Sequence, residues 1–138
     1  MKTRRQARIV ALQTLFEVDS VNHPVDLVLS QRLEETPLAA DGEVFAKHLV
    51  LGVLEHRPGL DSLISELATD WPLEQMAIVD RNILRIAMFE LTVDGQTPVK
   101  VAINEAVELA KLFGSDSSRR FVNGVLGTLV SRRGSVPA

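Results

Sequence analysis

The chain has 138 residues, of which 46% are hydrophobic and 24% charged, and its formal net charge is -3. These values are typical of one soluble globular domain that buries roughly two-thirds of its unfolded surface. Because the chain has no cysteine and no run of roughly 20 apolar residues, we expect no disulfide, thiolate metal site, signal peptide or membrane helix, and we expect a cytoplasmic protein.

The first half of the chain predicts four helices, because its apolar residues recur at intervals of three and four. In the first helix Ile9, Leu12 and Leu15 form an apolar stripe, while Arg4 and Arg8 share another face. Prolines mark the expected ends of the helices that follow. The predicted helices are Arg4–Val18, Val25 to the residue before Pro37, Glu43 to Pro58, and Leu60–Leu67, with a loop over Thr36–Gly42.

The second half predicts three more helices. A nearly continuous apolar helix over Ala77–Val93 should be the most buried element of the fold. The next helix, Val99–Phe113, is amphipathic, with Thr97 as its expected N-cap and Gly114 as its expected left-handed end. Ser115–Ser118 then offers side-chain oxygens to the start of the last helix. That helix continues through Val122, Val125, Leu126 and Leu129.

No segment shows the sustained alternation of apolar and polar residues that predicts a strand. Asn123 and Gly124 form a common hairpin dipeptide, but the apolar residues around them repeat at three and four rather than at two. Gly124 is therefore expected to mark a close approach between two helices. The predicted fold class is all-α, with about seven helices.

Residues with catalytic chemistry are few and scattered. The histidines His23, His48 and His56 form no metal-binding motif, and the chain has neither a nucleophile elbow nor a phosphate-binding glycine loop. Glu105 and Glu108 lie three residues apart on one helix, but carboxylates at this spacing are more commonly surface or ion-pair residues than an acid-base pair. We therefore expect no enzyme, no catalytic residue, no bound metal and no cofactor.

Positive charge is concentrated at the two ends of the sequence. Residues 1–20 carry a net charge of +2 and residues 115–138 one of +3, which leaves -8 for the rest. If the fold brings these ends together, they form a basic patch suited to an anionic partner, above all a nucleic acid. The alternative is that terminal arginines only keep the chain soluble. Arg119 and Arg120 favour a ligand, because positive charge in the first turn of a helix opposes the helix dipole.

Two phenylalanines lie next to these basic stretches. An exposed aromatic ring beside arginines stacks on unpaired bases in many single-stranded RNA complexes. Phe16 and Phe121 are candidates for this role, although a phenylalanine at helical spacing is more often part of a core.

Four charged residues interrupt the apolar helix over Ala77–Val93. Charges so close to a core are usually paired internally or face a partner. Internal salt bridges are our first interpretation and a protein interface the second. The residues are Asp80, Arg81, Arg85 and Glu90.

Four segments together resemble the NusB family of bacterial transcription antitermination factors. They read RRQARIVALQTLF, DRNILRIAMFEL, VAINEAVELAKLFG and FVNGVL, and they occur in the family's order over nearly the whole chain. The resemblance implies an all-α, NusB-like fold with two packed small helical bundles, roughly 1–70 and 71–138. It also implies binding of boxA-type leader RNA together with NusE, a protein of the small ribosomal subunit. The complex joins RNA polymerase and suppresses termination, notably in rRNA operons.

The resemblance also implies site residues. In the family, RNA is held by the first helix and the start of the last one, whereas NusE docks around the fifth predicted helix. This chain departs from the common pattern at Gln6, within the basic run, and at position 16, where Phe16 replaces tyrosine, so we expect somewhat weaker RNA affinity. The RNA-binding residues that the resemblance implies are Arg4, Arg5, Arg8, Phe16, Ser117, Arg120 and Phe121, and the concentration of basic charge at the two ends adds Lys2 and Arg119. The protein-partner set is Glu74, Asp80, Arg81 and Arg85.

The alternative is a purely protein-binding helical module, either a homodimer or an adaptor, with an occluded or weak RNA surface. The two classes differ in their response to salt, because phosphate contacts weaken steeply with ionic strength and apolar docking does not. The sequence leaves open whether the protein is a monomer or a dimer.

Overall fold

A computed structural model describes residues 2–133, and within this range the chain forms helices and no strand. The all-α prediction is confirmed. The expected number of helices was about seven, and the described range contains six, because two predicted helices are one. The helices are α1 (Lys2–Val21), α2 (Val25–Glu35), α3 (Ala40–Leu67), α4 (Ile78–Phe89), α5 (Val99–Phe113) and α6 (Ser118–Arg133).

The predicted break at Pro58 is wrong, because α3 runs through this proline to Leu67. Proline inside a helix removes one backbone hydrogen bond and costs about 3 kcal/mol. The buried apolar side of α3 nevertheless continues across it, with Val53 before the proline and Leu60 and Ile64 after it fully or almost fully buried. Burial of each such side chain is worth about 1.5 to 3 kcal/mol, which offsets the local cost. The helix also begins at Ala40, three residues earlier than the predicted Glu43.

The chain divides into two compact units, one up to Glu55 and one from His56 onward. The division falls inside α3, whereas the family resemblance implied a division near residue 70. In the first unit α1 and α2 pack together. The Glu17 carboxylate of α1 accepts hydrogen bonds from His23 Nδ1 at 2.7 Å and from Arg32 of α2 at 3.1 Å. The hydrogen bond from His23, followed by that from Arg32, holds the pKa of Glu17 below its usual 4.5.

The second unit is built around α4, which packs against both α5 and α6. Every residue from 82 to 90 is buried, so the predicted central helix is confirmed. It continues as a π-helical turn, Glu90–Asp94, that ends at the left-handed Gly95. Thr97 does not cap α5, because its hydroxyl donates a hydrogen bond to Glu90 Oε1 at 2.7 Å instead. The buried Glu90 carboxylate thereby gains a donor that ties the end of α4 to the start of α5.

Gly114 ends α5 in an extended conformation with φ -91° and ψ -173°, not in the predicted left-handed one. Glycine is needed here for space. A Cβ would lie 2.5 Å from Ser118 Cβ and 2.8 Å from the Ala110 carbonyl oxygen. The same tight turn lets Ser118 Oγ accept a hydrogen bond from the Ser115 amide at 2.9 Å. Gly124 is the opposite case: a Cβ there would meet nothing within 4 Å, so the expected close helix approach is wrong.

Alanine substitutions at two glycines should change stability in opposite directions. Gly114→Ala forces Ser118 and the backbone apart, so we expect it to lower the free energy of unfolding by about 1 to 3 kcal/mol. Gly127 is exposed within α6 and has open space at its Cβ position. Gly127→Ala should therefore raise the free energy of unfolding by about 0.5 to 1 kcal/mol. Urea titration of both variants tests this, and equal effects of one sign would contradict the packing described at Gly114.

Candidate nucleic-acid interface

In the first unit, α1 begins with a cluster of exposed positive charge. Lys2, Arg4 and Arg5 are all exposed, and the first turn contains no acidic residue. The Arg4 guanidinium lies 4.1 Å from the centre of the Phe45 ring, within cation–π distance. An exposed arginine held by an aromatic ring keeps its charge at the surface while losing part of its conformational freedom.

Arg8 has a different environment from the other predicted RNA contacts of α1. It is only 2% exposed, and its guanidinium lies 5.1 Å from the same Phe45 ring. Burial argues against a direct phosphate contact for Arg8, and it indicates that Arg8 and Phe45 together position the basic side of α1. Phe45 itself is buried and was not among the predicted site residues. No sequence signal pairs residue 45 with residues 4 and 8, which it meets only through the packing of α1 on α3.

Phe16 is 41% exposed, as base stacking would require. Arg5 and Phe16 are eleven residues apart, which is close to three full turns of an α-helix. The two side chains therefore project from nearly the same face of α1, roughly 16 Å apart along its axis. This geometry provides a cation and an aromatic ring along a single line.

In the second unit, the start of α6 carries the other predicted cluster. Arg119 and Arg120 are exposed in the first turn, which contains no acidic residue. Ser117 is exposed and Ser118 fully buried, with the Ser115 hydroxyl 3.2 Å from that of Ser118. Free amides at a helix start and two guanidiniums together favour an anion such as phosphate.

Phe121 is half-buried and lies between two surface pockets that it shares with Trp71. The first pocket has a volume of about 370 Å³ and also includes Arg120, Asp70 and Gly124. The second has a volume of about 330 Å³ and also includes Asp80, Ser115 and Ser117. The predicted residues of the α6 start thus belong to a concave surface of the second unit.

Trp71 is a second residue, besides Phe45, that the sequence predictions missed. It is 53% exposed, although tryptophan is usually buried extensively. One signal could have identified it: the only tryptophan of the chain stands before Pro72 in a turn, outside any apolar stripe of a helix. A large aromatic residue without a place in a core is a candidate for binding.

The predicted protein-partner residues occupy unlike environments. Glu74 is exposed on a 3₁₀ turn, Leu73–Gln75, and Arg81 is half-buried and donates a hydrogen bond to the Leu73 carbonyl oxygen at 3.3 Å. Asp80 is 9% exposed, and its Oδ1 atom has no hydrogen-bond partner in the described range. These three residues stay candidates for a partner contact.

Arg85 is not a surface residue, and its prediction as a partner contact is corrected. It is 2% exposed. Its Nε donates to Asp61 Oδ1 at 2.7 Å, one terminal nitrogen donates to Asp61 Oδ2 at 3.1 Å, and the other donates to Asn82 Oδ1 at 3.0 Å. The interpretation as an internal salt bridge is confirmed for this residue.

The carboxylates considered for catalysis are separated by burial. Glu105 is 4% exposed, whereas Glu108 is half-buried. Between residues 2 and 133, no group of three or more histidine and acidic side chains is placed to hold a metal ion. No helix in that range is long and apolar enough to cross a membrane.

The described fold agrees with comparisons to known proteins. Residues 5–131 match the model of the NusB family. A transcription antitermination protein NusB from Chloroflexus aggregans is 56% identical over 131 residues, which are 94% of this chain and 87% of that protein. The structure of T. maritima NusB is similar with a TM-score of 0.85 and 32% identity, covering 93% of this chain and 90% of that one.

A second solved structure is that of the antitermination factors NusB and NusE in complex with dsRNA. The similarity has a TM-score of 0.88 and 26% identity, and it covers 96% of this chain and 98% of that one. The relative in that structure therefore associates both with a protein and with RNA.

Two substitutions compare the stabilising effect of the Asp61 carboxylate, which pairs with Arg85, with that of the exposed Glu74 carboxylate. Asp61→Asn keeps the side-chain size but leaves the buried Arg85 charge without its bidentate counter-ion, so we expect a loss of about 3 kcal/mol in the free energy of unfolding. Glu74→Gln removes the same charge at an exposed site and should change stability by less than about 0.5 kcal/mol. Urea unfolding of the two variants measures both values. Comparable losses in both would show that the ion pair is not a special stabilising contact.

Proposed function

The chain belongs to the NusB family, and from that premise we propose that it is a transcription antitermination factor. It binds boxA-type single-stranded leader RNA together with NusE and helps RNA polymerase to suppress termination, notably in rRNA operons. The RNA-binding part of this proposal rests on one arrangement of side chains that occurs at two helix starts. Exposed arginines stand at the starts of α1 and α6, each on a helix that also presents an accessible phenylalanine.

On α1 the proposed contacts are Lys2, Arg4 and Arg5 to phosphates and Phe16 to a base. Their support is exposure, the absence of acidic residues in the first turn, and the shared face of Arg5 and Phe16. Arg8 acts indirectly in this proposal. Its buried guanidinium stays beside Phe45, the ring that also holds Arg4.

On α6 the proposed phosphate contacts are Arg119 and Arg120, supported by the positive end of the helix dipole and the exposed Ser117 hydroxyl. Two arginines at a helix start are locally unfavourable by a few tenths of a kcal/mol. A bound phosphate reverses this effect, because it interacts favourably with both the guanidiniums and the helix dipole. Phe121 supplies an aromatic surface one residue further along.

NusE is proposed to dock around α4 of the second unit, with Glu74 as the exposed contact and Arg81 beside it. Glu74 stands on a short turn that precedes α4, where a partner's basic side chain can reach it without crossing the core. Arg85 is left out of this contact because it is buried.

A homodimer or a protein-only adaptor is the second candidate. Its support is an exposed apolar pair at the end of α5, where Leu112 is 59% and Phe113 is 40% exposed. Such side chains favour contact with another protein surface. This candidate predicts association that depends little on salt.

Salt dependence of RNA binding distinguishes the two candidates. If Arg4, Arg5, Arg119 and Arg120 each contact a phosphate of single-stranded boxA RNA, the dissociation constant should rise roughly fifty-fold between 50 and 200 mM salt. Fluorescence anisotropy of labelled boxA RNA and of a scrambled RNA, with and without NusE, measures this. Tighter binding of boxA than of the scrambled RNA in the presence of NusE is expected.

Single substitutions make the test specific to each cluster. Arg5→Gln and Arg120→Gln should each reduce the slope of log affinity against log salt by about 0.7. Arg133→Gln is the matched control, because Arg133 is exposed at the opposite end of α6 from Arg120. Weak and equal binding of both RNAs under all conditions would overturn the proposed function, and equal effects of all three substitutions would overturn the assignment of the contacts.

A further inference from the structure

We propose that the pocket shared by Trp71, Phe121 and Asp80 receives one unstacked nucleobase of the bound RNA, and that it selects a base that carries an amino group. Guanine, adenine and cytosine fit this description, and uracil does not. The inference rests on the RNA binding proposed above and adds to it a base-reading subsite in the second unit.

The aromatic part of the subsite is formed by two rings. Trp71 is 53% exposed and Phe121 half-buried, and both border the two adjoining pockets of about 370 and 330 Å³. A base that stacks on an aromatic side chain contributes substantially to single-strand affinity, and it does so for any base because each has a π-face. These rings alone therefore explain affinity and not selectivity.

Selectivity comes from Asp80. Its side chain is 9% exposed, it borders the second pocket, and its Oδ1 atom has no hydrogen-bond partner among residues 2–133. Asp80 lies in the first turn of α4, where the helix dipole stabilises its negative charge but supplies no hydrogen bond to this oxygen. Buried polar atoms are nearly always paired, and an unpaired one requires an explanation. A donor group that enters the pocket with a ligand provides one.

The amino groups of guanine, adenine and cytosine are such donors, and carboxylates accept from them in nucleic-acid complexes. Uracil has no amino group, and two carbonyl oxygens flank its only ring N–H, so it would bring acceptors toward an acceptor. The hydroxyls of Ser115 and Ser117 also border the pocket, and each can donate to or accept from a base edge.

A cationic side chain of a protein partner would also satisfy Asp80, but the charge around the pocket favours a nucleotide. Arg120 borders the adjoining pocket, which Trp71 and Phe121 also line. Its guanidinium attracts the phosphate of a nucleotide whose base occupies the second pocket, and it repels an incoming lysine or arginine.

The fluorescence of Trp71 reports on this pocket directly, because Trp71 is the only tryptophan of the chain and the chain has no tyrosine. We expect short oligo(C) and oligo(A) to quench the emission of Trp71 and to bind about tenfold more tightly than oligo(U) of the same length. Oligo(U) retains the phosphate contacts and should bind with the same salt slope.

Substitutions at two residues, Trp71 and Asp80, separate base stacking from base selection. Trp71→Ala should weaken oligo(C) binding, measured by anisotropy of labelled RNA, about tenfold, while Trp71→Phe keeps most of the affinity. Asp80→Asn should bring the affinities for oligo(C) and oligo(U) to within about twofold, because an amide presents a donor as well as an acceptor. Leu51→Ala and Glu66→Gln are the controls: both residues are exposed, and neither borders either pocket. The salt slope should be unchanged in every variant.

The outcomes are distinguishable. Salt-dependent RNA binding with no quenching and equal affinity for all three oligonucleotides would overturn the subsite and leave the proposed function intact. No binding of any RNA by the unmodified chain would overturn the proposed function itself. If NusE without RNA quenches Trp71 and Asp80→Asn abolishes the effect, the pocket belongs to a protein partner and the nucleobase proposal is wrong.

Discussion

The second unit depends on one buried ion pair. Arg85 of α4 is held by both oxygens of Asp61 on α3, at 2.7 and 3.1 Å, and by Asn82 at 3.0 Å. A buried guanidinium is tolerated only when its charge and its donors are satisfied, so the pair restricts how α4 can lie against the second half of α3. Because α5 and α6 pack on α4, the start of α6 and the pockets beside it take their positions from this contact.

The proposed functional groups lie where the fold leaves a charge, a hydrogen-bonding oxygen or an aromatic ring in an unfavourable environment. Arg119 and Arg120 oppose the dipole of α6, Asp80 has an oxygen without a donor in the part of the chain that the structure describes, and Trp71 exposes more than half of its surface. Each feature is slightly unfavourable in the isolated protein. A nucleotide supplies what all of them lack: a phosphate, a hydrogen-bond donor and a flat apolar face.

Much of the fold could be predicted from periodicity. The α5 bounds, the central burial of α4 and the helical conformation of Asn123 and Gly124 follow from the spacing of apolar residues, since that spacing reflects which side of a helix faces the core. The errors occur where local preference and packing disagree. Pro58 predicted a helix end, yet continuous burial along α3 carried the helix through it, and Gly114 serves close packing rather than a left-handed turn.

The sequence by itself determined the class of the fold, the family and the concentration of basic residues at the two ends of the chain. Only the tertiary structure decided which of those charges are accessible: Arg4 and Arg120 are exposed, whereas Arg8 and Arg85 are buried. It also decided that Trp71 and Asp80 share a pocket with Phe121, although 50 residues of chain separate Trp71 from Phe121. The reason is physical, because residue type sets the charge and shape of a side chain, while its burial and its neighbours are set by contacts between helices distant in the chain.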